Sequence, residues 1–82
     1  MSDASIPEQV LEYVATQIVD SPDDVEIEAS TSDGAVDLQL TVNADDMGRV
    51  IGRRGRNAQA IRTIVRAAGA RAGVEASVDI VD

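Results

Sequence analysis

The residues with the clearest chemical potential are Gly52-Arg53-Arg54-Gly55, set in the run Gly48-Arg49-Val50-Ile51-Gly52-Arg53-Arg54-Gly55-Arg56. Glycines at this spacing let a backbone approach a ligand with no β-carbon in the way. A helix resuming directly after Gly55 would turn its free N–H groups and the positive end of its dipole to the same place. Arg53 and Arg54 cannot pack inward at so tight a turn, so they project to solvent. The chemistry this combination offers is the holding of a phosphate. The four-residue pattern alone is weak evidence, because a plain helix–turn–helix connection looks the same.

Charge distribution strengthens the reading. Residues 1–46 carry twelve acidic and no basic residues, residues 49–71 carry seven Arg and no acid, and residues 72–82 add three acids, for a net charge of -8. All positive charge therefore sits in one block, which can hold a local positive potential because charges beyond ~8 Å are largely screened at physiological salt. The basic residues are all Arg, with no Lys. A GC-rich coding sequence accounts for this, as would adaptation of an acidic surface to high salt; solubility as a function of salt separates the two.

Composition excludes several other classes. There is no Cys and no His, which removes disulfides, thiolate chemistry, the commonest general base and the commonest metal ligand. No metal, cofactor or small-molecule substrate is expected. The Gly52–Gly55 run lacks the length and the Lys-Ser/Thr of a nucleotide-binding P-loop, so an enzyme is not expected. Met-Ser-Asp-Ala-Ser has no signal-peptide character, and no apolar run nears the ~20 residues that span a membrane. The expectation is a cytoplasmic protein. The 82 residues leave room for one domain, 1–82, ordered over about 5–81, with a small aliphatic core.

The elements that must position the loop follow from periodicity. Residues 6–20 read as an amphipathic helix, with Ser5 and Glu8 as a capping box and Leu11, Val14, Ala15 and Ile18 on one face. Ser21-Pro22 stops it. Residues 25–31 and 35–42 form a hairpin around Asp33-Gly34. Pairing Ser32 with Ala35 sets Ala29 against Leu38, Ile27 against Leu40 and Val25 against Val42, and a one-residue slip would destroy that agreement. Glu26, Glu28, Asp37 and Gln39 share the other face. Asn43 caps a short helix at 44–51, with Met47, Val50 and Ile51 inward. A second helix covers 56–68, with Ala58, Ile61, Ile64, Val65 and Ala68 on one side and Arg56, Arg62 and Arg66 on the other. Gly69 and Gly73 bracket a loop, and Val74, Ala76, Val78 and Ile80 alternate as a last strand. The order helix-strand-strand-helix-helix-strand makes an α+β domain with a three-stranded sheet and helices on one face.

With these elements in place, Val50-Ile51-Gly52-Arg53-Arg54-Gly55-Arg56 followed by Ala60-Ile61-Arg62 resembles the core motif of KH domains. The element order resembles their type II arrangement, and the chain is most similar to the small bacterial single-KH proteins of the KhpA family, over roughly residues 5 to 81. The resemblance implies a non-catalytic single-stranded RNA-binding protein that clamps the phosphate backbone with its GxxG loop. It would lay bases on an aliphatic groove formed by Val50, Ile51, the Ala58 side of the second helix, and the last strand near Val74 to Val78. The implied RNA-binding residues are Arg49, Val50, Ile51, Gly52, Arg53, Arg54, Gly55, Arg56, Ala58 and Arg62. It further implies a role as RNA chaperone or post-transcriptional regulator, as a homodimer or paired with a KhpB-like KH protein.

Three features depart from the family pattern. Ala58 is smaller than the aliphatic residue many KH domains carry there, the loop Gly69 to Gly73 is short, which would leave one groove wall low, and no aromatic lies near the loop, so stacking at ~1–3 kcal/mol per base is absent. Weak, sequence-tolerant binding dominated by phosphates is expected. The other readings are plainer. Arg62 and Arg66 could form a solvated helix face, and Val50 and Ile51 could belong to the core. Asp45 and Asp46 read as partners of a helix dipole rather than metal ligands, and Tyr13 as a partly buried helix residue. The alternative function is a protein-interaction domain with an acidic sheet face and little RNA binding.

Overall fold

The computed structural model describes residues 3–81. Helix α1 spans Ser5–Ile18. Its start differs from the expected capping box: the Asp3 carboxylate accepts from the Ser5 N–H at 3.0 Å and from its hydroxyl at 2.7 Å. Asp3 lies two residues before the first turn and satisfies an N–H that the helix itself cannot. The helix ends two residues earlier than expected, and Pro22–Asp24 forms a 3-10 turn.

Strands β1 (Glu26–Ser32) and β2 (Ala35–Thr41) form the expected hairpin. Ser32 faces Ala35, Ala29 faces Leu38 and Ile27 faces Leu40, as the alternation requires. The Val25–Val42 pair lies outside the ladder, which closes at Glu26 and Thr41. Strand β3 (Glu75–Ile80) lies parallel to β2 on its other edge, so the sheet order is β1-β2-β3. A parallel neighbour requires a long crossover, and that crossover carries α2 (Met47–Ile51) and α3 (Arg56–Arg71).

Two layers result. Val36, Leu38 and Leu40 of β2 and Ala76 and Val78 of β3 are buried beneath α1 and α3, together with Leu11, Ala15, Ile61 and Val65. Asp37, Gln39, Glu75, Ser77 and Asp79 stand exposed on the opposite face, where Ser77 Oγ donates to Asp37. Tyr13, expected to be partly buried, is 67% exposed on α1. Its helix needs only the Leu11 and Ala15 side to cover the sheet.

Helix α3 spans Arg56–Arg71, three residues longer than expected. Gly69 is a buried helical residue and not the start of a loop. A β-carbon there would lie 2.8 Å from Ala76 Cβ and 3.0 Å from the Val74 carbonyl. Glycine lets the last turn of α3 lie directly on β3.

Candidate nucleic-acid interface

The segment expected as one helix at 44–51 is a 3-10 turn, Ala44–Asp46, running into α2, Met47–Ile51. Asn43 caps it as anticipated, accepting from the Asp45 N–H at 2.8 Å. Asp46 departs from the dipole-partner reading. It is 3% exposed, and its two oxygens accept from the backbone N–H groups of Asp20 and Ser21 at 3.1 Å each. This carboxylate fastens α2 to the end of α1. A signal for it was present in the sequence: Asp46 stands four residues before Val50, on the same side of a helix.

The loop itself is a tight turn at Arg53–Gly55. The Gly52 N–H closes α2 on the Gly48 carbonyl at 2.8 Å, and the Gly55 N–H returns to Gly52 at 3.1 Å. Gly52 (φ 75°, ψ 174°) and Gly55 (φ 73°, ψ 15°) both need positive φ, and Arg54 sits between them in the left-handed region at φ 59°. Gly52 is also crowded, since a β-carbon would come within 2.6 Å of Asn57 Cγ. Above Gly55 there is nothing within 4 Å. Asn57 Nδ2 donates to the Arg49 carbonyl at 2.8 Å, binding α2 to α3 across the loop. Sequence reasoning missed Asn57; a short amide at the second position of a helix is the signal that it reaches back to nearby backbone.

Gly55 starts α3, and no side chain caps this N-terminus. Arg53, Arg54 and Arg56 surround it, exposed and without an ion-pair partner among the described residues. The arrangement is an open, positively charged turn at the head of a 16-residue helix, which is suited to an anion.

The other expected contact residues divide. Arg49 is exposed, but its Nη1 donates to Asp20 Oδ1 at 2.6 Å. That hydrogen bond, and then the Asp20 charge, raise its pKa above the ordinary value. Val50 has no exposed surface and Ala58 is buried. Both side chains seat their helices, Val50 on α2 and Ala58 on α3. Ile51, expected inward, is 38% exposed beside Gly52, because α2 has only five residues and Val50 takes its inner face.

On α3 the buried side is Ala58, Ile61, Val65 and Gly69. Ile64, expected on that side, is 45% exposed. Arg62, expected to face outward, is half-buried, and its Nε donates to the Val78 carbonyl at 3.2 Å. Glu75 and Val81 direct their N–H groups towards β2. The alternate residues Ala76, Val78 and Ile80 therefore turn their backbone groups to the free edge of β3. Arg62 lays its stem along that edge and satisfies one of its carbonyls. Among the described residues, no cluster of three His, Cys, Asp or Glu could hold a metal ion, and no helix is long and apolar enough to cross a membrane.

The family model for the KH domain of KhpA/KhpB matches residues 8–80. The chain belongs to the KhpA/KhpB KH-domain family. Similar proteins include the RNA-binding protein KhpA of Streptomyces coelicolor, 47% identical over 92% of this chain and 91% of the relative. That of Clostridium acetobutylicum is 41% identical over 89% of this chain and 97% of the relative. That of Bacillus subtilis is 39% identical over 92% and 93%. The α+β architecture, with helices on one face of a three-stranded sheet, is a KH fold with its additional helix and strand placed N-terminally.

Proposed function

We propose that this chain is a non-catalytic, cytoplasmic single-stranded RNA-binding module whose Gly52–Gly55 turn holds the phosphate backbone. The observation that carries the reading is the turn itself: two positive-φ glycines and the uncapped start of α3, ringed by Arg53, Arg54 and Arg56 without ion-pair partners among the described residues. Bases lie beyond the turn on Ile51 and the edge of β3, where Arg62 stands. The sole aromatic residue of the chain, Tyr13, is on α1, so phosphate contacts dominate and sequence preference is slight. The outer sheet face exposes Glu26, Glu28, Asp37, Glu75 and Asp79. It repels RNA and steers it to the arginine side.

Gly55→Asp is the cleanest test. A side chain there meets nothing within 4 Å, and Asp tolerates the left-handed region better than most residues, so the fold survives while a carboxylate takes the phosphate seat. Fluorescence anisotropy with a mixed-sequence RNA oligonucleotide should show at least about tenfold weaker binding. The wild type should show a salt slope near -2, at about -0.7 for each of three neutralised phosphates. Unchanged affinity in the folded variant refutes the reading.

The reading extends to pairing. Ala60, Ile64 and Ala67 form an exposed apolar stripe along α3. A second copy, or the KH domain of a KhpB-like protein, would cover it and join two weak RNA sites into one of higher avidity, as an RNA chaperone or post-transcriptional regulator requires. Light scattering of wild type and Ile64→Asp tests this: a dimer that the substitution makes monomeric supports it, and a wild-type monomer that binds no KH partner refutes it.

A further inference from the structure

Arg49 is held at both ends. Its carbonyl accepts from Asn57 Nδ2 at 2.8 Å, and its Nη1 donates to Asp20 Oδ1 at 2.6 Å. Asp20 is itself fixed, because its backbone N–H and that of Ser21 donate to the buried Asp46 carboxylate at 3.1 Å each. One carboxylate thus sets the backbone that aims another at the arginine of α2.

The neighbour of Arg49 is Gly48, an exposed helical glycine above which there is nothing within 4 Å. Neither strain nor crowding calls for glycine there, and glycine weakens a helix relative to alanine. With Val50 turned to the core, about 100° per residue brings Gly48 to within about 20° of straight outward, with Arg49 about 100° to one side of it and Ile51 about 60° to the other. The outer surface of α2 is a strip of bare backbone with an apolar wall and a cationic wall. It leads directly into Gly52.

We propose that Asp20 sets the affinity of the RNA site by holding Arg49, so that a phosphate following the strip over Gly48 competes with this carboxylate for the guanidinium. The inference rests on the RNA reading and adds to it one contact and one competitor. An exposed ion pair is weak, no more than a few-fold in an equilibrium constant, so the competition tunes binding and does not block it. Among the described residues no other arginine has a carboxylate partner, so the tuning acts through Arg49 alone.

The test is a double-mutant cycle of Asp20→Asn and Arg49→Gln, read by anisotropy with the same RNA oligonucleotide across a salt series. Asp23→Asn serves as the control for loss of a charge that does not touch Arg49. Asp20→Asn should tighten binding about threefold and steepen the salt slope by about 0.7, one phosphate on a single strand. It should have no such effect in the Arg49→Gln background, and Asp23→Asn should have less. Equal tightening in both backgrounds assigns the effect to general charge and overturns the proposal. Weaker binding by Asp20→Asn, which would make Asp20 an aid to Arg49, overturns it too. A wild type that binds no RNA refutes the RNA reading and this inference together; a wild type that binds and is indifferent to Asp20→Asn refutes this inference alone.

Discussion

Asn57 occupies the space that a side chain on Gly52 would need: a β-carbon at Gly52 would lie 2.6 Å from Asn57 Cγ and 2.8 Å from its Nδ2. The same amide holds the Arg49 carbonyl. The first glycine of the turn is therefore required by the protein's own packing, whether or not a ligand is bound. Gly52→Ala combines a left-handed backbone with a collision and should cost about 3 kcal/mol, the top of the range for a strained residue. Gly55→Ala carries only the conformational penalty, about 1–2 kcal/mol. Asn57→Ala loses one hydrogen bond, about 1 kcal/mol, and removes the closest atom over Gly52, leaving only its own Cβ at 2.8 Å. Urea denaturation should show Gly52→Ala with Asn57→Ala to be less destabilised than the sum of the single variants. Strict additivity would mean that the two residues do not meet.

Asp46 supplies both acceptors for the backbone N–H groups at the end of α1. Asp46→Ala strands two partly buried donors and removes hydrogen bonds to a charged group, each worth about 1.5–3 kcal/mol. A loss of about 3–4 kcal/mol is expected, and Asp46→Asn, which keeps one acceptor, should lose about half as much. Denaturant midpoints of the two variants check the order. Equal loss by both would assign the contribution to charge and not to the paired acceptors.

Asp3 predicts a pH dependence. The hydrogen bonds from the Ser5 hydroxyl and then the Ser5 N–H hold its carboxyl below the ordinary 3.8. A depressed acid stabilises the fold fully above its unfolded pKa, and that contribution is lost as pH falls through the depressed value. Stability should therefore drop with acid below about pH 4, and Asp3→Asn should flatten that part of the profile. Thermal melts of both forms between pH 2 and pH 6 measure it, at roughly half-unit steps. Parallel profiles would mean that Asp3 caps nothing in solution.

Gly69 of α3 packs directly against Ala76 of β3, with no room for a side chain between them. Gly69→Ala gains helix propensity of about 1 kcal/mol yet drives a methyl to 2.8 Å from Ala76 Cβ and 3.0 Å from the Val74 carbonyl. Overpacking costs about 1–3 kcal/mol, so the variant should be less stable than wild type. A higher melting temperature would show that the last turn of α3 has room to lift.

What the chain discloses before folding depends on how local the cause is. The hairpin register was legible because a period of two and an Asp-Gly turn fix it within sixteen residues, and Asn43 because a cap acts within two. The rotation of α3 was not. Periodicity gives the width of an apolar arc but not its centre, and the centre is set by β3 and α1, which put Arg62 against a strand edge and Ile64 outside. Gly69 was misread as a loop because glycine is a poor helix former, while its partner Ala76 is reached only through the fold. Of the site, the turn and its arginines were legible. The burial of Val50 and Ala58 was not legible, since an aliphatic residue serves a core or a ligand equally well.

The parallel pairing of β2 with β3 has a consequence for the order in which the molecule forms. The β1–β2 hairpin can zip locally, on a timescale of about 1–10 microseconds. β3 cannot join until the whole crossover has returned, and the arginine turn sits midway along it. The third strand is thus the product of a late step, because its place beside β2 needs the whole crossover behind it. A chain that has folded only its hairpin leaves one edge of β2 open, and that edge closes only when residues 75–80 arrive.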